Sequence, residues 1–378
     1  MLSYSRLATL ERENRDTLVL NAYIDATELD SVARRAWRKT LADGITAVRK
    51  SLADAPHAER KSFDEAAARL EAQAAELSDD LDGAPGWAGF ITADDILYGS
   101  PTAAPPAPSL VWRRGIATAP YLRVISDDAS VILTLADTRV ADIYRWTAGE
   151  PERVERIQAH AHVGRAAHMG DAPVAGFHTG TRGTTLTDAA QRAVDVGRER
   201  MVRDVAEQLE TFARPAGWIV VAGLREVAMD VMKHLGKAAS KRALYLGGLS
   251  TDASIPEIAR AAAEGRDTLR AAQERDRVND LIDRAAGRSR GVLGFQPTLD
   301  AVGTGAARDV SVTATLFTER PDDAEALALA VLTHGARLHE VSGDAAARLD
   351  AECDGVAASL RFPSRTGRGK LAGVAETV

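Results

Sequence analysis

Five apolar residues in a row, Trp218 to Ala222 in the run GWIVVAG, sit between two charged segments with helical periodicity. A continuous apolar run this short, bounded by glycines and rich in β-branched residues, reads as a buried strand. Upstream, a helix predicted to run to Phe212 puts Leu186, Ala190, Ala193, Val194, Gly197, Met201, Val205 and Leu209 on one face. Downstream, LREVAMDVMKHLG is a second helix and RALYLGGL a further strand. SVILTLADTRVADIYRW reads as a hairpin turning at Asp137 and Thr138, and PERVERIQ supplies a third strand. A hairpin joined to strands that alternate with helices predicts a mixed sheet covered by helices.

The flanking sections are also α/β. Before this unit, TLVLNAYID is a strand candidate and a helix is predicted from Ser31 to Leu52. Its Trp37, Leu41, Ile45, Val48 and Leu52 recur every three to four positions as one buried stripe. A helix over Glu59–Leu77, a strand pair in WAGFITADDILYGS and the stiff loop SPTAAPPAPSL follow, with short β-type segments leading to Val124. After the unit, a charged helix runs from Ile255 to Ala286, with Gly265 its one obvious weak point. TLDAVGTG, DVSVTATLF, DDAEALALAVLTHG, ARLHEV and GVAASLRFP then alternate helix and strand. The expected division is three small α/β domains, 1–127, 128–254 and 255–378.

A net charge of −7 argues against indiscriminate coating of nucleic acid but leaves room for local basic surfaces. No run approaches the ~20 apolar residues that a membrane-spanning helix needs. The start, MLSYSRLATLEREN, lacks a signal-peptide pattern, so a cytoplasmic protein without a membrane partner is expected. Cys353 is the only cysteine, which excludes an internal disulfide and a multi-cysteine zinc site. Glu352 and Asp354 beside it disfavour a thiolate, and it reads as an ordinary core residue.

The candidate functional residues gather in two places. One is the loop from Ala159 to Thr185, with five glycines from Gly164 to Gly183, just ahead of a helix N-terminus. Arg182 there is either a solvated loop cation or a phosphate contact. Arg165 and His178 add to its basic character, and His160, His162, His168 and His178 make it more cationic at low pH. Their spacing fits no standard zinc pattern, so neither a metal nor another cofactor is expected. The other is Arg34, Arg35, Arg38 and Lys39, opposite the Trp37 stripe, either a solvated face or an RNA contact. Arg361, Arg365, Arg368 and Lys370 near the C-terminus stay open in the same way. Asp137 and Asp142 flank one hairpin turn, where turn chemistry explains them better than two-metal nuclease chemistry.

Two stretches carry a resemblance. Val202-Arg203-Asp204-Val205-Ala206-Glu207, followed by WIVVAGLREVAMDVMKHL, is similar to the middle domain of the archaeal and eukaryotic class-I release factor and Pelota superfamily, in its divergent bacterial branches. Asp354–Phe362 resembles that family's closing strand. The resemblance implies a middle domain of ribonuclease-H-like topology and a last domain that is an α/β/α sandwich of ribosomal-L7Ae-like type. Counting back without gaps puts Thr181-Arg182-Gly183-Thr184-Thr185 on the family's Gly-Gly-Gln catalytic loop. Thr184 replaces its second glycine and Thr185 its glutamine, and a β-branched residue restricts the backbone that glycine leaves free.

The implied protein is a ribosome-binding factor at or near the A site, in hibernation or in rescue of stalled ribosomes, without stop-codon-dependent release. Its implied partners are ribosomal RNA, tRNA and a translational GTPase. Its implied RNA contacts are Arg182, Gly183, Thr184, Thr185, His178 and Arg165, with Arg34, Arg35, Arg38 and Lys39 in the first domain, and no residue is catalytic. The alternatives are a peptidyl-tRNA hydrolase with a rebuilt loop and an interaction protein that has left the ribosome.

Overall fold

The structure is a computed structural model that describes residues 2–27, 36–79, 81–126, 130–147, 151–159, 186–214, 217–287 and 290–363. It divides into two compact units, Met1–Asp128 with Ala271–Val378, and Ala129–Arg270.

The N-terminal part of the first unit opens with α1 (Tyr4–Asn14), which the sequence pattern does not announce. Then come β1 (Leu18–Asp25), α2 (Ala36–Ser51), α3 (His57–Glu76), β2 (Gly86–Ile91), β3 (Ile96–Thr102), β4 (Ser109–Arg114) and α4 (Thr118–Ser126). The four strands form an antiparallel sheet in the order β3-β2-β1-β4. The predicted stripe of α2 packs against it, with Trp37, Leu41 and Ile45 buried and Val48 and Leu52 partly so, beside Phe63 and Leu70 of α3. Of the short β-type segments expected up to Val124, β4 is present, but from Thr118 the chain is helical. Tyr121 and Leu122 are fully buried on one side of α4, and Pro120 is tolerated in its first turn. Tertiary partners here override the local preference of a β-branched and aromatic run.

The second unit contains β5 (Val131–Ala136), β6 (Val140–Trp146), β7 (Glu152–Gln158), α5 (Leu186–Phe212), β8 (Trp218–Gly223), α6 (Arg225–His234), the single turn α7 (Lys237–Ser240), β9 (Ala243–Leu246) and the start of α8 (Ile255–Ala286). Its sheet runs β7-β6-β5-β8-β9. β5, β8 and β9 are parallel, while β6 and β7 are antiparallel to their neighbours. Counted within the unit this is 3-2-1-4-5, the ribonuclease-H-like order. β8 is buried on both faces. Ile219 and Val221 meet Val205 and Leu209 of α5, and Val220 meets Ile258, Ala262 and Leu269 of α8. Residues 255–270 therefore belong to the packing of this sheet, where the sequence-based boundary assigns them to the last domain. Gly265, weak on propensity grounds, lies tight against the sheet. A Cβ there would sit 2.4 Å from Val220 Cγ2.

The remaining elements return to the first unit: β10 (Gly291–Leu293), α9 (Phe295–Gly303), β11 (Ala307–Thr313), α10 (Ala314–Glu319), α11 (Pro321–His334), β12 (Arg337–Val341), α12 (Gly343–Cys353) and β13 (Val356–Leu360). The expected strand DVSVTATLF ends at Thr313, and its second half is α10. The sheet order is β10-β13-β11-β12, with only β11 and β12 parallel among these pairs. Val302, Leu327 and Val331 of α9 and α11 cover one face. Val278 and Leu281 of α8, with Leu349 and Cys353 of α12, cover the other, completing an α/β/α sandwich. The described residues form a mixed α/β architecture with three sheets.

Candidate functional site

Arg165, His178, Arg182, Gly183, Thr184 and Thr185 all lie outside the described residues, as do His160, His162, His168, Arg34 and Arg35. What the structure supplies is the frame that holds the loop's two ends. At one end, Ala159 after β7 donates its N–H to Arg139 O at 2.8 Å. At the other, α5 begins at Leu186, and its side chains are described from Val194 onward. The predicted apolar face of α5 is present in its second half, where Met201, Val205 and Leu209 are buried. Val194 departs from the expectation and is exposed.

In the phrase that carries the resemblance, Val202, Val205 and Ala206 are core residues, whereas Arg203, Asp204 and Glu207 face solvent. Packing against the sheet therefore explains that phrase, and the charged positions are open to other uses. Glu199 and Arg203, four residues apart, form an ion pair along α5. Arg198 bonds Asp230 of α6 at 3.3 Å, and Glu210 accepts from the Gly236 N–H at 2.5 Å, so α5 is tied to α6 and to the turn that follows it. Hydrogen bonding from Lys233, with the charges of Lys233, Arg198 and His234 adding, holds the Asp230 carboxyl below the usual carboxylate range.

In the first unit's basic cluster, Arg38 and Lys39 differ. Arg38 ends α3: its Nη1 donates to Ala74 O at 2.7 Å and its Nη2 to Leu77 O at 2.6 Å. Its Nε lies 3.1 Å from Asp79 Oδ1, and the guanidinium stacks 4.5 Å above the Trp37 ring. These carbonyls have no partner within the helix, and Arg38 satisfies them. Lys39, next in sequence, is exposed. A cavity of about 390 Å³ lies between α2 and β1, lined among others by Asp25, Trp37, Thr40, Gly44 and Ser109. Asp25 Oδ1 at its edge accepts from the N–H and hydroxyl of Thr27 at 2.9 and 2.7 Å.

Arg361 also has a structural task. Its Nη1 donates to Gly305 O at 3.1 Å and its Nη2 to Gly335 O at 2.7 Å, just past the ends of α9 and α11. Arg365, Arg368 and Lys370 lie outside the described residues. Asp137 serves its turn, with Oδ1 accepting from the N–H groups of Arg139 and Val140 at 2.6 and 2.8 Å. Asp142 is almost buried and lies 3.7 Å from both Arg153 and Arg156 of β7. This is an ion-pair cluster across two strands. Among the described residues no group of three or more His, Cys, Asp or Glu is placed to hold a metal. Sequence reasoning missed Glu325, Arg123 and Glu340, whose partners are so distant in the chain that no local pattern signals them.

No family model matches the chain, and no curated protein matches it. Solved structures do. Pelota of Archaeoglobus fulgidus is 17% identical, over 73% of this chain and 79% of its own, with a TM-score of 0.37. Dom34 of S. cerevisiae, a translation termination-like factor that interacts with Hbs1, is 12% identical over 65% of this chain and 67% of its own, at 0.44. The archaeal termination factor aRF1 is 14% identical over 96% of this chain and 99% of its own, at 0.27. These are similarities at a level that leaves function to the chain's own residues. Among those described, no helix is long and apolar enough to cross a membrane.

Proposed function

We propose that this protein binds the ribosome at or near the A site and occupies it without releasing the nascent chain, in hibernation or in rescue of stalled ribosomes. One observation supports this above the rest. A sheet of order 3-2-1-4-5 carries α5, with its Val202–Glu207 phrase, and the loop just ahead of α5 keeps Arg182 and Gly183 but has Thr184 and Thr185 where the release-factor loop has glycine and glutamine. The glutamine places water at the ester in that family. A threonine hydroxyl is shorter, and its β-branch limits the backbone, so the contact to RNA outlasts the chemistry.

Arg182 is the main phosphate contact in this reading, with Arg165, His178 and the Gly183–Thr185 backbone beside it. Arg34, Arg35 and Lys39 make the contact of the first section, since Arg38 already serves α3. Ribosomal RNA and tRNA are the partners, with a translational GTPase for delivery, which sets the protein in the cytoplasm.

The test is co-sedimentation with ribosomes at graded salt. Binding through basic patches on an acidic body should fall linearly in log affinity against log salt. No sedimentation even at low salt, from both growing and starved cells, refutes the ribosomal role and leaves a non-ribosomal interaction protein. Arg182→Ala should weaken binding by about 1–3 kcal/mol with the melting temperature unchanged. Robust peptide release by the wild type that disappears in Thr185→Ala would instead establish a peptidyl-tRNA hydrolase.

A further inference from the structure

The N–H groups that open a helix have no partner within it, and a carboxylate placed there both accepts their hydrogen bonds and opposes the helix dipole. At α4 that carboxylate comes from far along the chain. Glu325 of α11 accepts from the Thr118 N–H (2.8 Å) and hydroxyl (3.1 Å) through Oε1, and from the Ala119 N–H (3.0 Å) through Oε2. Arg113 at the end of β4 reaches the same Oε1 at 3.3 Å. Only 16% of the Glu325 side chain is exposed, so solvent screens these contacts weakly.

Further along α4 the same pattern recurs. Arg123 grips Glu340 of β12 with two bonds, Nε to Oε2 at 2.5 Å and Nη2 to Oε1 at 2.8 Å, and its guanidinium lies 4.5 Å over the Phe317 ring. This paired, half-buried geometry is the strong form of an ion pair. Between the two charged contacts, Tyr121 and Leu122 are buried in one apolar cluster with Leu327, Val331 and Leu338. At the start of the chain, the Leu2 N–H donates to the Tyr121 hydroxyl at 2.7 Å, and the Tyr4 hydroxyl accepts from the Leu338 N–H at 3.3 Å.

We infer that residues 2–126 and 271–363 unfold as one cooperative body, clasped by Glu325 at the head of α4 and Arg123–Glu340 along it, with residues 129–270 inserted between its halves as a separate cooperative unit. Each half packs one face of its sheet by itself, with α2 and α3 on the first and α8 and α12 on the last, and the core on the other face is shared. Val19, Tyr23 and Phe90 of the first sheet belong to the same cluster as Val310 and Val312 of the last, so separation would expose apolar surface on both sides. Cooperative units of this kind open together in native-state exchange. This holds whether or not the protein acts on the ribosome.

The test is native-state amide hydrogen exchange on the full chain, comparing wild type with Glu325→Ala and, separately, Arg123→Ala. Each variant should speed exchange of the core amides of β1 and β2 and of β11 and β13 by one common factor, about tenfold or more. Amides of β5 and β8 should exchange as in the wild type. Should Glu325→Ala fail to yield folded protein, Glu325→Gln keeps one acceptor oxygen and gives a smaller common factor. Faster exchange confined to α4 and α11, or to one sheet of the pair, overturns the inference, because the halves then open independently. No change in either variant, or equal acceleration of β5 and β8, also overturns it.

Discussion

Glycine inside a helix is ordinarily a defect, and replacing it with alanine in an exposed helix stabilises by about 1 kcal/mol. Gly265 should behave in the opposite way. A Cβ at this position would stand 2.4 Å from Val220 Cγ2, 3.3 Å from Cγ1 and 3.4 Å from Cβ, and the first distance is far inside van der Waals contact. Val220 has little freedom to yield. It is β-branched, fully buried, and paired on both sides, to Leu133 of β5 and Leu244 of β9. Overpacking of this kind costs about 1–3 kcal/mol, so Gly265→Ala should destabilise the unit by roughly 0–2 kcal/mol after the propensity gain. The decisive measurement is a double-mutant cycle with Val220→Ala, read by urea unfolding. Removing the Val220 methyls makes room for the new Cβ, so Gly265→Ala should turn favourable in that background, with a coupling of about 1–3 kcal/mol. A gain of ~1 kcal/mol from Gly265→Ala in the wild-type background would refute the close approach of α8 to β8.

Three other outcomes are expected. Arg38→Ala should cost about 1–3 kcal/mol of stability, because it strips the Ala74 and Leu77 carbonyls of their partner, whereas Lys39→Ala should stay within ~0.5 kcal/mol; equal melting temperatures for the two variants would contradict the assignment of Arg38 to α3. Cys353, whose thiol burial pushes up to about 11 with Glu352 adding to the effect, should resist alkylation at neutral pH until denaturant is added; rapid labelling of native protein counts against it. Asp309 is held below the usual carboxylate range chiefly by its hydrogen bond to His339, so its contribution is present above the unfolded value of ~3.9 and lost as pH falls below it. The stability gap between wild type and Asp309→Asn should therefore shrink as pH falls below ~3.9, and a gap that widens there would reverse the sign.

Much of the candidate site is legible only as chemistry types at a place in the chain. Glycines, Arg182 and the helix after them can be read from spacing. The uses of individual arginines cannot. Arg38 and Lys39 are neighbours on one predicted face, yet Arg38 bonds carbonyls 36 and 39 residues away. Arg361 shares a basic C-terminal stretch with Arg365 and Arg368, and its partners lie 56 and 26 residues back. A charged side chain looks the same in sequence whether it meets water, a carbonyl or a phosphate.

Local pattern alone determined the elements whose burial repeats along the chain. The apolar run of β8, the β5–β6 hairpin turning on Asp137, the stripe of α2 and the length of α8 all follow from the side-chain pattern, which the backbone geometry of strand and helix imposes on each segment separately. Only the tertiary structure decided that Thr118–Ser126 is a helix, that Gly265 is a contact point, and that Glu325 closes α4 from more than two hundred residues away. In each case the deciding energy is a contact between surfaces that are not adjacent in the chain, and hydrogen-bond satisfaction and close packing are properties of those surfaces together.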